Sequence, residues 1–230
     1  MRQLPLGIRL QDRAVFASFV AGENALALDA AQRLAVWQQG VNADSLIYLH
    51  GAGGTGKSHL LQAICAAVSN SSYLPLQQLQ EYGAGILEGV EHSQVIAVDD
   101  LDAVAGKAEW ERRLFSLYND CQSRGSRFVV AAKVPALHLQ IALPDLRSRL
   151  AAMPQFALRP LDELQQREAL QRRAAQRGLD LPEETVIYLQ RHFARDMAAL
   201  HELLDKLDIA SLQEQRRLTV PFIRGILERP

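Results

Sequence analysis

Residues 51–58 read Gly51-Ala52-Gly53-Gly54-Thr55-Gly56-Lys57-Ser58, a complete GxxxxGK[ST] pattern. An apolar run, Leu46-Ile47-Tyr48-Leu49, leads into it, and a helix-forming run, His59-Leu60-Leu61-Gln62-Ala63, leads out. This order leaves the chain few options. A strand must stop, the backbone must curl so that successive N–H groups face inward, and a helix must start on the far side. Such a loop holds the phosphates of a nucleotide. Gly51, Gly53, Gly54, Thr55 and Gly56 supply the backbone cradle, Lys57 a point charge for the β- and γ-phosphates, and Ser58 a hydroxyl for Mg²⁺.

The rest of the chain fits an α/β protein with a parallel sheet. After Glu23-Asn24, residues 25–39 carry Leu26, Ala30, Leu34 and Trp37 at helical spacing. Strands are expected at 46–50, 73–76, 95–98 and 127–132, separated by helices at 57–68 and 109–122. Short apolar strands alternating with helices imply a sheet covered on both faces, a three-layer arrangement whose ligands sit at the carboxyl ends of the strands. From Leu161 onward only helical periodicity remains. A helix over 164–177 stops at Gly178, Pro182 opens another over 183–192, and Met197, Leu200, Leu203, Leu204 and Leu207 form an apolar stripe. The expected organisation is an extended arm at 1–15, an α/β nucleotide-binding domain at 16–160 and a small all-helical lid at 161–230.

Composition narrows the function. With 25 basic and 26 acidic residues, the chain carries no charge excess to coat a nucleic acid or an anionic membrane. Any contact with DNA is therefore expected through partners. The two cysteines, Cys65 and Cys121, lie in apolar helical surroundings and read as buried thiols of a reducing compartment. The six histidines show no ligand spacing. The start has no secretory signal and no apolar run approaches membrane-spanning length, which points to a cytoplasmic protein with no membrane association. The pairs Arg172-Arg173 and Arg216-Arg217 read as solvated helix faces.

Two further groups carry chemistry. Asp99 and Asp100 end an apolar strand about forty residues after Lys57, where P-loop proteins place a metal-organising carboxylate. Asp99 would hold Mg²⁺ directly or through water, and Asp100 would orient the attacking water; a helix cap is the other use of such a pair. Arg147 and Arg149, in Leu143-Pro144-Asp145-Leu146-Arg147-Ser148-Arg149-Leu150, fall on a short helix. A guanidinium suits contact with a γ-phosphate on a neighbouring molecule, although an exposed, salt-bridged arginine would look the same in sequence.

Taken together, Phe16-Ala17-Ser18-Phe19-Val20-Ala21-Gly22-Glu23-Asn24, the phosphate loop with His59-Leu60-Leu61, the Asp99-Asp100 strand end and Arg147-Ser148-Arg149 resemble the AAA+ module of the bacterial replication initiator DnaA. The chain stops at Pro230, after the lid, where the initiator continues into a helix-turn-helix domain. The arm Gln3-Leu4-Pro5-Leu6 is similar to the QL-x-L peptide that grips the sliding clamp, the β subunit of DNA polymerase III. Both features resemble the Hda group, the regulatory inactivators within the DnaA-like AAA+ family. The resemblance implies that Val20 and Asn24, with His59 behind the loop, help enclose an adenine nucleotide, ADP or ATP with Mg²⁺. It also implies that Gln3, Leu4 and Leu6 bind the clamp, and that Arg149 acts as an arginine finger in trans, stimulating ATP hydrolysis by DnaA and preventing re-initiation. Two positions depart from the family pattern. Lys133 stands where a polar sensor is usual, and Ala198 where a second, nucleotide-sensing arginine is usual, with Arg195 nearby. These departures favour ADP and imply weak or absent hydrolysis by the chain itself. Self-association into a homo-oligomer is compatible with the lid surfaces. The rival readings are a helicase-loader or transposition-helper ATPase with a similar loop, and a P-loop kinase of small molecules.

Overall fold

The computed structural model describes residues 14–36, 45–192, 200, 203–204, 206–208, 210 and 218–227. Gln3, Leu4 and Leu6 of the arm, Trp37, Arg195, Met197, Ala198 and the Arg216-Arg217 pair lie outside the described residues.

The central sheet has five parallel strands: β1 (Leu46–His50), β2 (Ser71–Pro75), β3 (Val95–Asp99), β4 (Arg127–Ala132) and β5 (Gln155–Ala157). Their spatial order is β2-β3-β4-β1-β5. Because β1 is followed by a strand at the far edge, β4 inserts between β1 and β3. The carboxyl ends of these three strands therefore lie side by side, which is where a doubly covered parallel sheet binds ligands.

Helices α1 (Ala25–Val36) and α2 (Lys57–Ala67) cover one face of the sheet; α3 (Leu76–Leu79), α4 (Ala108–Arg124) and α5 (Pro144–Ala151) cover the other. Strand residues alternate between the two cores. Ile47, Leu49, Ala97, Val129 and Ala131 pack with Leu34, Leu60 and Ile64, whereas Tyr48, Ile96, Val98, Phe128 and Val130 pack with Leu114, Leu117 and Leu146. Central strands buried on both faces explain why their sequence reads as continuous apolar runs. A third core, built from Leu170, Val186, Leu189, Leu200, Leu204, Leu207 and Ile223, draws on α6 (Glu163–Gln176), α7 (Glu183–His192), the helical residues near 200–210 and α8 (Val220–Leu227). An α/β sheet followed by a helical region is the fold expected from the sequence.

Three details differ from expectation. Leu26 is 76% exposed; α1 buries Ala27, Ala30, Ala31 and Leu34, and Leu26 falls on the outer side with Asp29 and Arg33. Strand β2 starts at Ser71 and ends at Pro75, a residue tolerated because β2 is an edge strand. The three-residue β5 carries no apolar run to announce it. Both cysteines are free, and burial pushes the Cys65 thiol up to about 11 and that of Cys121 up to about 12, so neither is a reactive thiolate at neutral pH. Among the described residues no helix is long and apolar enough to cross a membrane.

Candidate functional site

The phosphate loop joins β1 to α2 at the centre of the sheet. Two of its glycines are required by geometry. At Gly51 (φ +156°) a Cβ would stand 2.4 Å from the Leu158 carbonyl oxygen, and at Gly56 (φ +95°) it would stand 2.7 Å from the Phe19 ring. Around Gly53 nothing lies within 4 Å, so the loop is open on that side. Thr55 is buried and donates its hydroxyl hydrogen to the Ala52 carbonyl at 2.9 Å, closing the turn from within. Ser58 is exposed one residue into α2.

Lys57 is 7% exposed, and its ammonium donates to the carbonyls of Gly51 and Ala52, both at 2.7 Å. Burial pulls its pKa down from the ordinary lysine value, against the opposing pull of Asp99, Asp100 and Asp102. The ammonium is thus held by two neutral oxygens that an anionic phosphate would replace to advantage.

Asp99 is fully buried at the end of β3. Its Oδ2 accepts from the Tyr73 hydroxyl at 2.7 Å, and its Oδ1 accepts from the Asp100 N–H at 3.0 Å. Asp100 adopts a left-handed conformation (φ +53°), the one non-glycine positive φ among the described residues, which is the kind of backbone strain that gathers at functional sites. Burial raises the Asp100 pKa, and the Asp99 and Asp102 carboxylates raise it further. Three carboxylates in one another's field, beside a phosphate loop, form a setting that a divalent cation relieves. Among the described residues no three His, Cys, Asp or Glu side chains gather to hold a metal unaided. A divalent cation at this place would need nucleotide phosphates and water to complete its shell.

The segment before α1 closes over the loop. His59, in the first turn of α2, places Nε2 3.1 Å from the Val15 carbonyl and 3.2 Å from the Ser18 hydroxyl, and its ring meets Phe19 edge-on at 5.5 Å. Burial lowers its pKa. His59 thus binds the Val15–Phe19 segment onto the loop helix. Asn24 is buried, and its amide is taken up by one residue: Nδ2 donates to the Arg159 carbonyl at 2.9 Å, while Oδ1 accepts from the Arg159 N–H at 2.7 Å. Val20, 9% exposed, lies between these two ties. From the helical region, the Arg172 guanidinium donates to the Ala17 carbonyl at 3.4 Å, and Gln165 packs against Gly22.

Arg149 lies away from these ties, exposed on α5, with its guanidinium 5.9 Å from the centre of the Tyr118 ring of α4. Sequence reasoning passed over the residue that seats this helix. Glu111, 1% exposed on α4, accepts N–H groups from Gly106 (2.7 Å) and Ala142 (3.0 Å) on Oε1 and from Leu143 (2.7 Å) on Oε2, pinning the loop that opens α5. Its signal was a carboxylate in the apolar stripe of Leu114, Tyr118 and Cys121.

Residues 162–227 match the family model of the Hda lid domain, residues 10–75 that of the bacterial DnaA ATPase domain, and residues 47–125 a model described as RNA helicase. The last overlaps the phosphate loop and the Asp99 strand end. Among solved structures, domain III of the Thermotoga maritima replication initiation protein DnaA is similar at 21% identity, covering 94% of this chain and 96% of that one, with a TM-score of 0.75. AMPPCP-bound DnaA from Aquifex aeolicus is similar at 19% identity, covering 88% and 68%, with a TM-score of 0.62. The Thermotoga maritima RuvB Holliday junction branch migration motor is similar at 18% identity, covering 90% and 67%, with a TM-score of 0.58. At these identities the structural likeness is one of fold.

Proposed function

We propose that this chain, whose residues 10–75 are similar to the bacterial DnaA ATPase domain and whose residues 162–227 are similar to the Hda lid domain, binds ADP or ATP and regulates chromosome replication by stimulating ATP hydrolysis on DnaA in trans. The nucleotide's phosphates lie in the 51–58 loop against Lys57, with Mg²⁺ shared by Ser58 and Asp99 and with Asp100 beside it. The adenine lies under the Val20 segment braced by Asn24 and His59. Supporting this part are the preformed loop, the buried Lys57 ammonium held by neutral carbonyls alone and the AMPPCP bound by the Aquifex relative.

In the same reading Gln3, Leu4 and Leu6 hold the DNA-loaded sliding clamp, which brings Arg149 to the nucleotide of an adjacent DnaA. The observation that carries the regulatory role is the match of residues 162–227 to the Hda lid, joined to an exposed arginine on the firmly seated α5. A guanidinium entering another site adds charge where the transferring phosphoryl group develops it. Such fingers raise hydrolysis by about 10³- to 10⁵-fold, equivalent to roughly 4–7 kcal/mol of barrier. The test is DnaA-bound ATP turnover in the presence of clamp-loaded DNA. The wild-type chain accelerates it; Arg149→Ala binds nucleotide normally and does not. Normal stimulation by Arg149→Ala removes the finger from this residue, with Arg147 the next candidate. Loss of clamp pull-down by the Gln3→Ala/Leu4→Ala double variant, with nucleotide affinity intact, checks the arm.

A further inference from the structure

Helix α4 meets α5 at two places along one face. Glu111 and Tyr118 are seven residues apart on α4, so both look out from the same side of that helix. Glu111 accepts the N–H groups of Ala142 and Leu143 and so fixes where α5 starts. Leu146 and Leu150, each 1% exposed, then fix its roll, and Arg149 is left exposed on the flank beside α4, with its guanidinium 5.9 Å from the centre of the Tyr118 ring. That ring is packed in place. Tyr118 is 5% exposed and meets the Phe128 ring of β4 edge-on, at 5.7 Å and 84°. Burial raises the pKa of its hydroxyl, against the pull of Arg149, so the ring stays neutral at working pH.

Arg149 passes over a commoner partner. Asp145 lies one turn back on α5, at the i,i+4 spacing at which Arg33 pairs with Asp29 and Arg172 with Glu168. Among the described residues Arg149 makes no ion pair, and its contact is the Tyr118 ring. A carboxylate would hold the guanidinium and also neutralise it. A ring face orients the cation while leaving its charge and its in-plane N–H donors for another group. The geometry points to Tyr118 as the positioning residue of the Arg149 finger: its ring is a neutral rest that holds the guanidinium in place and uncommitted until the phosphates of an adjacent nucleotide take it up. This rests on the trans-acting reading of Arg149 above and adds to it the side chain that aims the finger.

DnaA-bound ATP turnover with clamp-loaded DNA, followed against the concentration of the whole chain, tests the assignment. Tyr118→Leu should lower the saturating rate by about two- to fivefold, the value of one exposed cation–ring contact, with the half-saturating concentration unchanged. Tyr118→Phe keeps the ring face and should restore the wild-type rate. The Arg149 Nε–H resonance, identified by its loss in Arg149→Ala, gives a readout independent of turnover: the shift that the ring current imposes on it should persist in Tyr118→Phe and vanish in Tyr118→Leu. A wild-type saturating rate or an unmoved resonance in Tyr118→Leu, a loss confined to the half-saturating concentration, or a Tyr118→Phe variant as impaired as Tyr118→Leu overturns the positioning role. Should Tyr118→Leu fail to fold, Tyr118→Met takes its place, because a flexible side chain fills the same gap without a ring. Failure of the wild-type chain to stimulate, or normal stimulation by Arg149→Ala, instead overturns the finger reading and the positioning role with it, and is told apart by a ring-current shift that is still present.

Discussion

Tyr73 reaches across from the edge strand β2 and donates its hydroxyl hydrogen to the buried Asp99 carboxylate at 2.7 Å. The carboxylate to which the proposed function gives the metal is therefore aimed by a neighbouring strand. Burial, together with the adjacent Asp99 charge and hydrogen bond, drives the Tyr73 pKa upward, so Tyr73 stays a donor at all working pH values. Tyr73→Phe leaves a buried acceptor without its donor and should lower unfolding free energy by about 1–3 kcal/mol in urea titrations. An unchanged midpoint would mean that water replaces the hydroxyl at no cost.

Glu111→Gln replaces an acceptor of three backbone N–H groups with an amide that cannot accept on both ends. At least one buried donor is left unsatisfied, at an expected cost of about 1–3 kcal/mol. Hydrogen exchange should accelerate at residues 142–147 ahead of the sheet. Wild-type protection there would show that α5 is seated by its packing alone.

Two glycines of the phosphate loop should part company. Gly51→Ala places a methyl group against the backbone of Leu158, so both stability and nucleotide affinity should fall. Gly53→Ala meets open space and should leave the melting temperature within a degree or two while weakening nucleotide binding. Thermal melts with and without ADP separate the two outcomes.

Acid should destabilise the protein through its histidines. Burial lowers the pKa of both His59 and His50 below the ordinary 6.5. The unfolded chain then takes up protons that the folded one refuses. The stability contributed by the neutral rings is fully present above 6.5 and is lost as pH falls through and below that value, at up to about 1.4 kcal/mol per pH unit for each ring. Urea unfolding at pH 7.5 and 5.5 measures the slope, and His59→Gln should flatten it by about half. An unflattened slope would place the acid sensitivity elsewhere.

The phosphate loop, its flanking strand and helix, and the Asp99 strand end were legible in sequence because each is a local pattern: a glycine spacing, an apolar run and a carboxylate pair at its end. The parts that resisted reading depend on register or contact between distant segments. Tyr73 faces Asp99 only because β2 lies beside β3 in parallel register, with Tyr73 opposite Ala97. Asn24 braces Arg159, 135 positions away. Leu26 carries the right spacing for a core face, yet α1 turns Ala27, Ala30, Ala31 and Leu34 inward and leaves it outside. Short β5 owes its existence to the pairing offered by β1.

The brace between Asn24 and Arg159 also fixes where bending can occur. Arg159 is gripped at both its N–H and its carbonyl, and α6 begins from the Asp162 cap, with the Gln166 side chain holding the Leu161 carbonyl. Since Leu161 is itself held through its carbonyl, Pro160 alone separates the two grips, and its ring restricts its own torsion. The direction in which the chain leaves the sheet for α6 is thus set by a single residue with little rotational freedom of its own.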